Sequence, residues 1–300
     1  MPRRDGVPEL RLSYRLPFAT GNLLAFLGRR AISGVELVTG GVYARSIRLP
    51  GHGPIVIGLA PDPVEPFVAL RVTGLGGDAT WLASVVRAAR RLFDLDADPS
   101  SVDSVIAGDP VMRHHVRATP GMRVPGAVDG FEIAVRAIVG QQVSVAGART
   151  TLGRIAERFG DALATPTGSI VRLFPTAERL ADAPRDGLGM PGKRADALRA
   201  VARAVASGEL DLSGTAEVEP TVETLRAIQG VGEWTAAYVA MRALGHPDAF
   251  PASDLGVRRA FAMLGLPDDL GSIHRYAERW RPWRAYAVMH LWGLEADRGA

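Results

Sequence analysis

Residues 225–238, LRAIQGVGEWTAAY, decide how this chain reads. They spell a helix, a five-residue turn Ile228-Gln229-Gly230-Val231-Gly232, and a second helix. An apolar residue enters the turn, and Gly230 and Gly232 carry no side chain to hold another backbone away. Such a turn exposes successive N–H groups at the positive start of the next helix, which holds a phosphate without reading any base. Gly-x-Gly alone also marks an ordinary packing corner between helices. The residues beyond the hairpin separate the two readings. The second helix, about 232–244, stops at Gly245-His246-Pro247, a Gly-then-Pro stop signal. A short apolar loop, 248–253, then delivers Asp254 at the head of another helix, 255–261. By position Asp254 is a helix N-cap. A capping carboxylate is also held in place, as catalysis requires, so the two roles coexist.

A backbone grip followed one helix later by a carboxylate resembles the active-site layout of the helix-hairpin-helix DNA glycosylases. The resemblance covers nearly the whole chain. Residues 29–46 (RRAISGVELVTGGVYARS), 131–145 (FEIAVRAIVGQQVSV), 188–197 (LGMPGKRADA), the hairpin, and 276–292 (YAERWRPWRAYAVMHLW) are similar, in order, to the bacterial 3-methyladenine DNA glycosylase II family.

Patterning supplies the fold class for the N-terminal part. Residues 10–16 alternate apolar and polar side chains, and strand-like runs occur at 35–38, 42–49, 54–59 and 67–72. Gly40-Gly41, Gly51-His52-Gly53 and Pro61-Asp62-Pro63 punctuate them. Helices are expected at 20–30 and 78–93, so residues 1–92 predict an antiparallel sheet backed by two helices. From about residue 95 no strand pattern is visible. Residues 131–145 read as a buried helix ending in a polar turn, and Thr176 and Pro220-Thr221 as capped helix starts. The expected class is α+β. An N-terminal antiparallel sheet domain is followed over 93–300 by a helical module, which the resemblance makes a two-lobed all-α glycosylase module. One lobe is 130–245, containing the hairpin 225–238; the other joins 93–129 to 246–300.

The resemblance also implies roles. The hairpin residues Gly230, Val231 and Gly232 grip DNA. The carbonyls of Arg226, Ile228 and Val231 either cradle a monovalent cation, Na⁺ or K⁺, that bridges to phosphate, or are ordinary solvated helix-end groups. From the turn Gly140-Gln141-Gln142-Val143, Gln142 plugs the gap left by a flipped nucleotide, with Gln141 beside it on the DNA. A bacterial relative carries an apolar wedge at that position, and the alternative reading of Gln142 is a polar helix-end residue. Trp234 and Tyr238, four apart, share one helix face and by spacing alone would be core. The resemblance places them with Trp292 and Phe26 at the base pocket, where electron-rich rings suit a cationic methylated purine. Trp280 and Trp283 read as core. Gly293 replaces an aromatic and implies a wider pocket. Asp254 stabilises an oxocarbenium-like transition state or orients the attacking water, and Asp254→Asn is expected to leave stability little changed.

Composition bounds the alternatives. Three hundred residues with 47% hydrophobic content favour two domains, and the absence of cysteine excludes disulfides, thiolate zinc sites and iron–sulfur clusters. The six histidines show no metal-ligand spacing. Net charge is +3, mild support for an anionic partner. No apolar run approaches the ~20 residues of a membrane span, and the first ten residues lack a signal-peptide core. The expected protein is a cytoplasmic, nucleoid-associated monomer with no cofactor beyond the hairpin cation, acting on double-stranded DNA that carries alkylated bases. Two competing readings are a non-catalytic damaged-DNA-binding protein and a bifunctional oxidised-base glycosylase with lyase activity. Asp254 speaks against the first. Lyases place a Schiff-base lysine at the second residue after the last hairpin glycine; here that residue is Trp234, and the sole lysine, Lys193, is distant in sequence.

Overall fold

The computed structural model describes residues 9–49, 53–74 and 80–297. The expected turn at Gly51-His52, the Asp78 end of the 78–93 helix and the first eight residues lie outside them. The chain runs β1 (Glu9–Ser13), α1 (Thr20–Arg30), β2 (Glu36–Thr39), β3 (Val42–Leu49), β4 (Gly53–Pro61), β5 (Phe67–Thr73) and α2 (Leu82–Leu92). The helices α3 (Pro99–Gly108), α4 (Arg113–Ala118), α5 (Gly130–Gly140) and α6 (Val145–Phe159) come next. After β6 (Ala162–Thr167) and β7 (Ile170–Arg172) come α7 (Ala177–Ala181), α8 (Gly192–Ala206), α9 (Val218–Ala227) and α10 (Glu233–Arg242). The helices α11 (Leu255–Met263), α12 (Leu270–Ala277) and α13 (Arg284–Asp297) complete it.

The five N-terminal strands form one sheet in the order β1-β5-β4-β3-β2, each pair antiparallel. The α1 face Leu23, Phe26 and Leu27 and the α2 face Val85, Ala89 and Leu92 are buried against it. This core does not stop at the sheet. Tyr43, Ile57, Leu70 and Phe93 share one cluster with Phe261, Trp280 and Leu291 of the C-terminal helices. A second cluster gathers Ile133, Ile138, Leu198, Val201, Leu225, Val231 and Val239 from α5, α8, α9, the hairpin and α10. The cleft lies between elements of the two. Trp280 and Trp283 are both expected in the core: Trp280 is fully buried, while Trp283 is only half-buried.

Two details differ from the pattern reading. The strands β6 and β7 form a hairpin in a region where only helices are expected. Leu163 is the single buried residue of β6, so there was no alternation to see. The hairpin is held from outside: Val171 N donates to Gly34 O and the Ser46 hydroxyl to Arg172 O. The helix α9 begins at Val218, ahead of the expected Pro220-Thr221 start. Proline is tolerated in a first turn because its missing N–H has no helical partner there.

A buried ion network joins the sheet to the helices. Arg45 of β3 donates to Glu132 of α5 at 2.6 Å and to Glu36 of β2 at 3.3 Å. Arg136 of α5 bonds Glu36 at 2.5 Å and Glu132 at 2.7 Å, and Tyr43 OH donates to Glu36 at 2.5 Å. Two carboxylates and two guanidiniums balance. Burial opposes the Glu36 charge, but Arg136 and Arg45 outweigh it and hold its pKa at about 2. Arg136 also donates to Arg30 O at 2.8 Å, so the network reaches the end of α1.

Breaking one member leaves a buried charge uncompensated. Glu132→Gln is therefore expected to cost about 3–5 kcal/mol in urea unfolding near neutral pH. The folded-state pKa of Glu36 lies below its ordinary value of 4.5. Its stabilisation is thus fully present above about pH 4.5 and is lost as pH falls toward 2. Urea midpoints measured across that window check the sign, and a Glu36→Gln variant should show a shallower acid loss.

Candidate active site

The hairpin occupies 228–232, between α9 and α10. Leu225 and Val231 are buried and anchor its two arms. Val231 N closes the turn on Ile228 O at 3.0 Å. The first bond of α10 runs from Ala236 N to Gly232 O, so the N–H groups of Glu233, Trp234 and Thr235 open the helix without a partner one turn back. The two glycines serve different ends. Gly230 sits at φ +90°, and a β-carbon there would lie 2.7 Å from Ala197 Cβ of α8. Gly232 has φ −90°, is exposed, and has nothing within 4 Å of a built β-carbon. Gly230 is required by backbone and packing; Gly232 leaves the space at the start of α10 open.

Asp254 caps α11, its Oδ1 accepting from Val257 N at 3.1 Å. The same oxygen accepts from Trp292 Nε1 of α13 at 2.8 Å, and Oδ2 accepts from Trp234 Nε1 of α10 at 2.8 Å. Three helices thus converge on one half-buried carboxylate. The aromatic residues continue from it as a ladder. Trp234 stacks on Tyr238 with ring centroids 5.4 Å apart, Tyr238 lies 6.2 Å from Trp292, and Trp292 is nearly parallel to Phe26 at 6.0 Å. The structure therefore brings all four expected aromatic residues into one ladder, of which Trp234 and Trp292 bond Asp254. Phe26 is only 3% exposed and backs Trp292 more than it faces the cleft.

Two residues that patterning missed share these rings. The Arg30 guanidinium lies 3.7 Å from the Phe26 ring centre and 6.0 Å from Trp292. Arg242 sits 4.9 Å from Phe26 and donates to Tyr238 OH at 3.0 Å. Burial pushes the Arg30 pKa down to about 10 and lowers that of Arg242. Arginines near apolar runs look like surface residues in a sequence, and no local signal distinguishes these two. Ring faces expected to receive a cationic base are thus already shared by resident cations.

A cleft of about 1370 Å³ is lined by Gly230, Gly232, Trp234, Tyr238, Asp254 and Trp292, and on its other side by the 140–145 turn. Gln142 is exposed there at φ +57°, a backbone region that residues with a β-carbon seldom adopt. Val143 and Val145 beside it are also exposed. Gln141 borders the cleft too and is tied to the hairpin, its Nε2 donating to Gly230 O at 3.0 Å and Thr235 Oγ1 at 2.9 Å. Gly293 borders the cleft with open space beside it. Among the described residues no cluster of His, Cys, Asp and Glu suits a metal ion, and no helix is long and apolar enough to cross a membrane.

The chain is similar to known proteins over most of its length. Residues 9–129 match the AlkA N-terminal domain, and residues 135–285 match the HhH-GPD superfamily base excision DNA repair protein. The chain belongs to this superfamily. It is 40% identical over 288 residues to the probable bifunctional transcriptional activator/DNA repair enzyme AlkA of Mycobacterium tuberculosis (strain CDC 1551 / Oshkosh). That match takes in 96% of this chain but 57% of the relative, so the chain spans little more than half of that protein. It is 37% identical to the DNA-3-methyladenine glycosylase 2 of Escherichia coli (strain K12), over 95% of this chain and 96% of that one. Among solved structures, a 3-methyladenine DNA glycosylase from Archaeoglobus fulgidus superposes with a TM-score of 0.80 at 25% identity, covering 95% and 97% of the two chains.

The two glycines of the HhH-GPD hairpin are expected to separate experimentally. Gly230→Ala should lower stability by more than about 1–2 kcal/mol, the cost of a left-handed backbone, because the overlap with Ala197 adds to it. Gly232→Leu should fold nearly as well as the parent, yet lose at least about tenfold in affinity for every duplex tested. Melting curves paired with binding titrations on unrelated sequences measure both. A loss for Gly232→Leu confined to particular flanking bases would argue against a backbone grip.

Proposed function

We propose that this chain is a monofunctional DNA glycosylase that flips alkylated purines, 3-methyladenine among them, out of double-stranded DNA and hydrolyses their N-glycosidic bond. The observation that carries the reading is the Asp254 carboxylate, fixed by two indole N–H groups in a cleft that opens beside the hairpin. The names of the relatives point the same way. A base inside a duplex is out of reach, so the nucleotide must be gripped, flipped and replaced. The exposed N–H groups at the start of α10 supply the grip on a phosphate. Gln142, projecting into the cleft, is the plug, and Val143 and Val145 add apolar surface beside it.

The pocket is the Trp234, Tyr238 and Trp292 wall, with Phe26 behind it, and the open space at Gly293 suits purines of more than one shape. N-alkylation makes the base cationic and weakens its bond to the sugar, so the enzyme need only assist departure. The negative charge of Asp254 faces the positive charge that develops on the sugar. Preorganised charge of this kind is effective because it needs no rearrangement during the reaction. Its indole bonds hold it in place while the base leaves, and the same oxygens can orient the attacking water.

No lyase step belongs to this reading. The position at which a Schiff-base lysine would stand is Trp234, whose indole is committed to Asp254. Lys193 runs its backbone close to Gly230 but does not line the cleft. For the hairpin cation, the end of α9 leaves the carbonyls of Arg226 and Ile228 without helical partners. Ile228 O accepts Val231 N–H and keeps a second lone pair. With Val231 O these are hard oxygen donors that suit Na⁺ or K⁺, which would add positive charge facing a phosphate. The partner is double-stranded DNA carrying alkylated bases. The protein acts as a monomer in the cytoplasm, on the nucleoid.

Chromatography of methylated DNA treated with the protein should show free 3-methyladenine, and borohydride should trap no covalent DNA adduct. Asp254→Asn is expected to slow single-turnover release by about 10²–10³-fold. Neutral hypoxanthine should suffer more than cationic 3-methyladenine, which departs more readily unaided. The structure also revises the expectation for stability. An asparagine that keeps both the cap and the Trp292 bond turns its NH₂ toward Trp234 Nε1, donor against donor. A loss of about 1–3 kcal/mol is therefore expected alongside the rate effect. Normal turnover by Asp254→Asn would remove Asp254 from the catalytic role.

A further inference from the structure

We infer that Gln141 is a positioning residue that couples the phosphate grip to the plug, so that seating the hairpin on DNA sets the depth and register of Gln142. This rests on the glycosylase reading above and extends it to how the two DNA-contacting parts act together. The helix α5 is buried along nearly its whole length and ends at Gly140. The two glutamines after it both border the cleft but differ in what they bond. Gln142 projects into the cleft from a left-handed backbone, whereas both amide hydrogens of Gln141 are spent on the hairpin unit. One acceptor is the carbonyl of Gly230, the residue whose φ of +90° shapes the turn. The other is the hydroxyl of Thr235 in the first turn of α10, itself only 2% exposed.

The backbone of Gln141 is tied as firmly. Arg194 of α8 donates to Gln141 O at 2.7 Å and to Val139 O at 3.4 Å, closing the end of α5. The same helix meets the hairpin where Ala197 lies against Gly230. Plug turn, hairpin and α8 therefore form a closed triangle, with the Gln141 side chain as a polar link between plug turn and hairpin. With both hydrogens committed to the protein, Gln141 keeps only its side-chain carbonyl for the cleft that it also borders. By its sequence position Gln141 is expected on DNA beside Gln142; the link to the hairpin is a further role for the same side chain.

The test is a double-mutant cycle. Gln141→Met keeps the length of the side chain and removes both donors, and Gln142→Ala removes the plug. Binding of undamaged duplex, fluorescence of 2-aminopurine beside a lesion as a readout of flipping, and single-turnover release of 3-methyladenine are followed for both variants and the double variant. Gln141→Met should leave affinity for undamaged duplex within about twofold and slow flipping and release by about tenfold, in the range of couplings between contacting residues. In the Gln142→Ala background it should add no more than about twofold. Additive effects, an equal loss on undamaged DNA, or no effect at all would each overturn the inference. If Gln141→Met does not fold, Thr235→Val cuts one of the two bonds and must show the same dependence on Gln142, with a smaller effect. Wild-type protein that releases no base overturns the glycosylase reading itself, whereas an active wild type with an additive cycle overturns only the coupling.

Discussion

The carboxylate of Asp254 is the point on which the cleft depends. It caps α11 and accepts an indole N–H from α10 on one oxygen and from α13 on the other. Hydrogen bonds to an ionised acceptor are about twice as strong as neutral ones, and these cross between helices that follow different paths through the fold. The bonds that fix Asp254 also tie down the rings of Trp234 and Trp292. Rigidity of the acid and shape of the pocket are therefore one structural fact.

The N-terminal sheet takes part in that site from a distance. Its strands β2 and β3 contribute Glu36 and Arg45 to the buried network, and Arg136 carries the network to the carbonyl of Arg30 at the end of α1. The helix so held presents Phe26 behind Trp292 and lays Arg30 across both rings. A buried ion network is a poor source of net stability compared with apolar packing. What it supplies here is a fixed position for α1, whose outer end is part of the pocket wall. Packing of the first core cluster, continuous from the sheet to α11 and α13, gives the same helix its apolar support.

Legibility followed the range of the interaction. The expected helix at 20–30 and strand at 42–49 coincide with α1 and β3, because side-chain alternation and periodicity are written in neighbouring residues. The Asp254 cap was legible for the same reason: its partner, Val257 N, lies three residues away. The β6–β7 hairpin was not, since a strand with one buried residue has no period to read. Trp234 and Tyr238 show the limit at the site. Their spacing placed them on one helix face and was equally compatible with core; the resemblance to a known family, not the pattern, put them at a pocket.

The sequence by itself determined the sheet-then-helix order, the glycine turn, the capped aspartate and the set of aromatic residues, all of which rest on local backbone preferences and on recognisable blocks. Only the tertiary structure decided which way each side chain faces and what it touches. Trp292 reaches Asp254 across 38 residues, and Gln141 reaches Gly230 across 89. Arg30 and Arg242 meet on Phe26 from α1 and α10, helices far apart in the chain. Such contacts depend on how helices pack, and packing is set by the summed burial of many side chains rather than by any one neighbourhood. Gly230 and Gly232 look alike in the sequence for that reason. Only the nearness of Ala197 to one, and the open cleft beside the other, gives them different work.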